Sequence, residues 1–181
     1  MPETSKYEVG DYVIYKYWGS YRHEPVILTE KVLSKTGGNK LEILVDWKSG
    51  KEARTWKQFV TDTAHNRANS IVDRLVLVAG GKETELANKD NIDLFKLYEG
   101  TFLIIQHDPI VIREEKKTLP VGHVSYLCRV RTYRTRALGI RAEMTVADSD
   151  EFKWNNVSSS YRDMKGGLLY TAEVVEHGNK K

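Results

Sequence analysis

The feature that most constrains this chain is a hydrophobic period of two. From Tyr12 to Gly19 it reads YVIYKYWG, with Val13, Tyr15 and Tyr17 on one side of an extended segment and Tyr12, Ile14 and Lys16 on the other. LEILVDWK repeats the pattern: Leu41, Ile43, Val45 and Trp47 share one side, and Glu42, Asp46 and Lys48 the other. Alternation in β-branched and aromatic residues specifies half-buried strands. Three glycine pairs, Gly37–Gly38, Gly80–Gly81 and Gly166–Gly167, adjoin such segments. None is followed by a helix carrying the basic and hydroxyl pair of a phosphate loop, so they read as hairpin turns.

Two stretches break the period. DTAHNRANS, residues 62–70, is polar and fits a short helical turn or a loop. NKDNIDLFKLYEG, residues 88–100, predicts a helix: Asp90 or Asn91 can cap it, Ile92, Phe95 and Tyr98 fall on one side, and Gly100 can end it. Pro109 marks an edge or bend. The expected fold is α+β and strand-dominated, with about eight to ten strands counted from turn spacing. Short hairpin connections make it a curved antiparallel meander, a half-barrel, with that one short helix packed on or in it. With no linker in the sequence, residues 7–178 are expected to form a single β-rich domain, between a disordered stub at 1–6 and a tail at 179–181.

Charge narrows the function classes. The 28 basic and 25 acidic residues are interspersed and leave a net +3, less lopsided than a strongly basic nucleic-acid module. One cysteine excludes an intramolecular disulfide. No run approaches the roughly 18 apolar residues of a membrane span. The opening MPETSKYEVGDY has neither a basic nor an apolar leader region. A periplasmic or membrane-anchored lipoprotein is expected if a leader was trimmed, and a cytoplasmic protein if Met1 is the native start.

GHVSYLCRVRTYRTRALGIRAEMTV, residues 122–146, carries the densest chemistry. At period two, Val124, Tyr126, Cys128 and Val130 share one face, and Leu127, Arg129, Arg131 and Tyr133 the other. The return strand offers Ile140, Ala142, Met144 and Val146 on its apolar face, with Glu143 free to pair across the strands and Gly139 in the turn. The cysteine then faces the core and the arginines face solvent. Arg129, Arg131, Arg134 and Arg136, with Arg141, could instead track phosphates of a nucleic acid or of anionic lipid headgroups; nucleic acid is the lesser reading, because no recognition motif accompanies them. A Cys128–His123 nucleophile fails on geometry, since five residues along a strand place the two side chains on opposite faces.

His23, His65, His107, His123 and His177 show no metal-ligand spacing, and the carboxylates form no short constellation. No metal, cofactor or catalytic residue is expected. Large aromatics crowd the strands, and most should be core. Where the inner face of a curled sheet exceeds what one helix covers, a groove remains for an apolar ligand. Its expected lining is Tyr15, Tyr17, Trp47, Trp56, Phe95 and Trp154.

KYEVGDYVIYKYWGS followed by PVILTEKVLS at the start, and VGHVSYLCRVRTYRTRALGIRAEMTVADSDEFKW with GGLLYTAEVVEHG at the end, resemble a family of bacterial exported or lipoprotein-like β-rich proteins. Architecturally that family is similar to the half-barrels of the LolA and LolB type, where a curved sheet wraps a helical plug. The resemblance implies a fold and a compartment, not a mechanism. Taken together, the expectation is a monomeric, noncatalytic envelope protein that binds an apolar ligand (a lipid or lipoprotein moiety) or a protein partner.

Overall fold

The computed structural model describes residues 4–20, 23–68, 71–86, 110–137 and 140–180. Its strands are β1 (Asp11–Trp18), β2 (Val26–Thr36), β3 (Lys40–Ser49), β4 (Glu52–Thr61), β5 (Arg74–Ala79), β6 (Lys82–Glu85), β7 (Ile110–Val121), β8 (Val124–Ala137), β9 (Ile140–Asp148), β10 (Asn156–Asp163) and β11 (Leu168–Asn179). They form an open eleven-stranded sheet in the order β6-β5-β4-β3-β2-β1-β11-β10-β9-β8-β7. This is the strand-dominated antiparallel fold that the alternation predicts. All but one of the neighbours are consecutive in sequence, as tight turns require.

The glycine pairs fall between strands as expected. Ala79 pairs with Lys82, leaving Gly80 and Gly81 as a two-residue loop with φ of 57° and 74°. Positive φ at both central positions is the type I′ pattern, whose twist matches that of the flanking strands and which glycine adopts without a Cβ penalty. Among the described residues the only helix is α1 (Ala64–Ala68), in the polar stretch that fits a helical turn or a loop. Thr63 caps it, its hydroxyl accepting from the Asn66 amide at 3.1 Å. The helix expected at 88–100 lies outside the described residues, as does the Gly139 turn.

The chain divides into two compact units: residues 1–14, 27–99 and 177–181 form one, and residues 15–26 and 100–176 the other. In the first, Val13, Val32, Val45, Trp47, Trp56 and Leu75 make the core. The chain is tied down from Ser5 onward, and Ser5 is itself buried. Its hydroxyl donates to the Asp62 carboxylate, which also receives Arg67 Nη1 at 2.6 Å. Lys35 Nζ donates to the carbonyls of Ser5 and Tyr7, at 3.0 and 2.8 Å, and to Glu8 Oε1 at 2.9 Å. One ammonium thereby uses all three donors on a single segment.

In the second unit Tyr161 and Tyr170 are paired in register, with ring centroids 6.0 Å apart edge to face. Around them Met144, Val157 and Ala172 are buried. The β8–β9 hairpin departs from the alternation in one respect. Its register is unbroken from Arg129↔Asp148 to Ala137↔Ile140, so Thr135 lies opposite Ala142 and Tyr133 opposite Met144. That parity puts Ala142 and Met144 on the face opposite to Cys128, although all three are buried. The hairpin buries one face at each end. Near Cys128 the loop from Ser149 to Asn155 folds over, and Phe152 packs on Tyr126 with centroids 5.3 Å apart. Farther along, the other face joins the tyrosine cluster.

Candidate functional site

The aromatic residues proposed to line a concavity are largely interior. Tyr15, Tyr17, Trp47 and Trp56 are 5%, 0%, 2% and 0% exposed, and Trp154 is half-buried. Trp47 and Trp56 belong to the first unit, where Val45 pairs with Trp56 and Trp47 is its diagonal neighbour. Tyr15, Tyr17 and Trp154 belong to the second unit, the two tyrosine rings stacked at 6.4 Å. Phe95 lies outside the described residues.

The arginines separate into two groups. Arg129 and Arg131 each donate to one oxygen of Asp148, both at 2.8 Å. Burial works to raise the Asp148 carboxyl, but the two guanidinium hydrogen bonds outweigh it and hold the group below the usual carboxylate range. The cross-strand partner is thus Asp148; Glu143, the partner expected from sequence, stands opposite Arg134. Arg134, Arg136 and Arg141 are exposed and make no ion pair among the described residues. Cys128 is buried and free, as the strand phase predicts, and burial pushes its thiol up, away from the reactive thiolate. Among the described residues no group of three His, Cys, Asp or Glu could hold a metal ion, and no helix is long and apolar enough to cross a membrane.

A groove that the sequence does not announce lies on the outer face of the first unit. It encloses about 570 Å³ across β2, β3, β4 and β5. Register builds it: Glu42 stands opposite Phe59, and Phe59 opposite Arg74, so three residues distant in sequence form one row. The Arg74 guanidinium sits 3.8 Å from the Phe59 ring centroid, a cation–π contact that holds the cation over an apolar floor. Its ion pair with Glu85 is loose at 3.4 Å. The groove's carboxylates have closer partners. Glu42 accepts from Ser34 Oγ at 3.1 Å and pairs with Lys57 at 3.1 Å, and Asp73 accepts from Thr61 Oγ1 at 2.7 Å. Lys40, at the rim, makes no ion pair among the described residues. In formal charge Lys40 and Arg74 balance Glu42 and Asp73, and Lys40 and Asp73 are the lining charges without an ion pair among the described residues.

Glu30 on β2 is half-buried, and burial pushes its carboxyl up to about 7. The Tyr7 phenol is raised as well, by burial first and then by Glu30 and Asp62. For Glu30 the folded value exceeds the ordinary 4.5. Both states are therefore protonated in acid, and the unfolded chain loses its proton first as pH rises. Stability falls between the two values and stays lowered above about 7. Glu30→Gln should raise the unfolding free energy by about 2 kcal/mol at alkaline pH and leave it unchanged in acid. Urea titrations on both sides of that window test this; an equal gain on both sides would mean that the carboxylate is not the cause.

No protein-family model matches the chain, and no curated protein matches it. Solved structures do. MucB aligns with 95% of this chain and 54% of its own length, at 12% identity and a TM-score of 0.50. MucB in the Pseudomonas aeruginosa MucA/MucB complex aligns with 94% of this chain and 52% of its own length, at 13% identity and a TM-score of 0.50. A Bacteroides fragilis protein with a YmcC-like fold covers 97% of this chain and 99% of its own, at 10% identity and a TM-score of 0.45. The chain spans about half the length of MucB. At such identities the likeness is one of fold.

Proposed function

We propose that this is a noncatalytic binding protein of the cell envelope whose occupant is a protein partner, held as an extended segment in the groove of the first unit. The observation that carries this reading is the guanidinium of Arg74 laid on Phe59 and only loosely tied to Glu85. An apolar floor at Phe59, a hydroxyl rim and the cations Lys40 and Arg74 suit a peptide with an acidic residue beside an apolar one. A lipid chain would gain little from such a rim. MucB, whose fold is similar, has been seen in complex with MucA. The envelope placement draws on that likeness and on the resemblance of both chain ends to exported and lipoprotein-like proteins.

Panning a displayed random-peptide library against the full chain should enrich acidic–apolar segments. Losing a hydrogen bond to a charged group costs about 1.5–3 kcal/mol, so Arg74→Ala should weaken an enriched peptide roughly 10- to 100-fold. Peptides that bind Arg74→Ala as tightly as the parent would place the partner elsewhere.

A second reading is an apolar ligand held against the aromatic residues of a single unit, Trp47 and Trp56 in the first or Tyr15, Tyr17 and Trp154 in the second, motivated by the density of large aromatics in the strands. A discrete adduct in the native mass spectrum after exposure to a bacterial lipid extract is its signature.

A further inference from the structure

We propose that the end of the β7–β8–β9 ladder bearing Arg134, Arg136 and Arg141 docks on an anionic phospholipid bilayer surface. The inference does not depend on the groove, whose residues all belong to the other unit. It starts from the register. Arg136 stands directly opposite Arg141, a like-charge pair whose Cβ atoms lie within about 5.5 Å and which repels until an anion sits between them. Two residues back on the same face is Arg134, with Glu143 opposite it on β9 and Ile110 opposite it on β7. None of these arginines makes an ion pair among the described residues, whereas Arg129 and Arg131, farther down the hairpin, share Asp148. This end of the ladder thus carries three guanidinium groups without an ion pair among the described residues; Lys116 and Lys117, farther along β7, are also without one.

Aliphatic residues are exposed at that same end. Ile110, Val111, Ile112 and Ile140 are 64%, 51%, 41% and 49% exposed. A bulge between Val111 and Arg113 interrupts the pairing there; Ile110 shares the arginine face, whereas Val111, opposite Tyr133, and Ile140, opposite Ala137, lie on the other face of the same strand ends. Single exposed aliphatics are ordinary; four of them flanking three unpaired guanidinium groups are not. Guanidinium groups that can take phosphates in bidentate fashion, next to aliphatic side chains able to enter the acyl boundary, are what a bilayer interface rewards. Nucleic acid fits less well. Its bases need aromatic platforms, and the ring on the same strand, Tyr133, is half-buried with Arg131 over it at 5.9 Å. A small soluble anion would leave the isoleucines in water.

The experiment is co-sedimentation of the full chain with vesicles of phosphatidylcholine, with and without phosphatidylglycerol. Binding is expected only with phosphatidylglycerol, and it should weaken as salt rises. Replacing both arginines (Arg136→Gln with Arg141→Gln) should lower the partition coefficient about 30-fold, roughly fivefold per arginine. Ile110→Ser with Ile140→Ser should lower it about tenfold or more, while Arg129→Gln, already spent on Asp148, should change it less than about twofold. If the double arginine variant misfolds by circular dichroism, Arg141→Gln alone should give the fivefold loss. The proposal fails if phosphatidylglycerol vesicles are not bound, if Arg129→Gln loses as much, or if the isoleucine variant binds like the parent, which would mean charge adsorption without docking. It also fails if an RNA oligonucleotide binds through Arg136 and Arg141 more tightly than the vesicles do.

Discussion

Alanine at Trp56 is expected to lower the free energy of unfolding by about 3–5 kcal/mol, because removing a fully enclosed indole forfeits its burial and leaves a cavity that strand packing cannot close. Trp56 has no exposed surface and lies on the core face with Val45 and Trp47. Urea unfolding followed by circular dichroism measures the effect; with a stability of 5–15 kcal/mol, such a loss is a large share of the total. The same variant weighs the two readings of the aromatic set. If Trp56 lined a ligand site, truncation would abolish adduct formation while shifting the unfolding midpoint little. A large midpoint shift makes it a core residue and moves binding to the surface.

Gly10→Ala should be nearly as severe, at about 3 kcal/mol or more, for two reasons that act together. Gly10 has φ of 91°, which an L side chain adopts only at a cost, and a Cβ there would lie 2.8 Å from the Lys180 carbonyl oxygen. That neighbour is backbone and cannot swing aside. Gly10 donates to the Val32 carbonyl and accepts from the Lys180 amide, both at 2.9 Å, so a shift would break the junction of β2 with both chain ends. Gly80→Ala is the control: φ is also positive at 57°, but nothing lies within 4 Å of an added Cβ, so only about 1–2 kcal/mol of backbone strain is expected. Equal losses in the two variants would assign the whole effect to φ and none to the close approach. Faster amide exchange near Val32 in Gly10→Ala would locate the damage.

Much of the architecture is legible in the chain because strand periodicity is local. Val13, Tyr15 and Tyr17 are buried and alternate with the half-buried Ile14, Lys16 and Trp18, and each glycine pair falls between strands. The inward cysteine follows from the same phase. The candidate surfaces are less legible. Sequence offered Glu143 as the partner for the hairpin arginines, but the offset of one strand against the other hands Arg129 and Arg131 to Asp148. High aromatic content serves core and cavity alike, so strand phase alone does not separate the two for Trp47 and Trp56, which are buried. Phe59 and Arg74 belong to no local motif; they meet only where β4 pairs with β5.

By itself, then, the sequence determined the class of fold, the core-facing side of strands such as β1 and β3, and the places where the chain turns. Those follow from side-chain period and from backbone freedom at glycine, which are properties of neighbours along the chain. The tertiary structure alone decided which cations are neutralised, which face each end of the β8–β9 hairpin buries, and where a groove opens. These depend on register between strands, and a displacement of a single residue reverses every face.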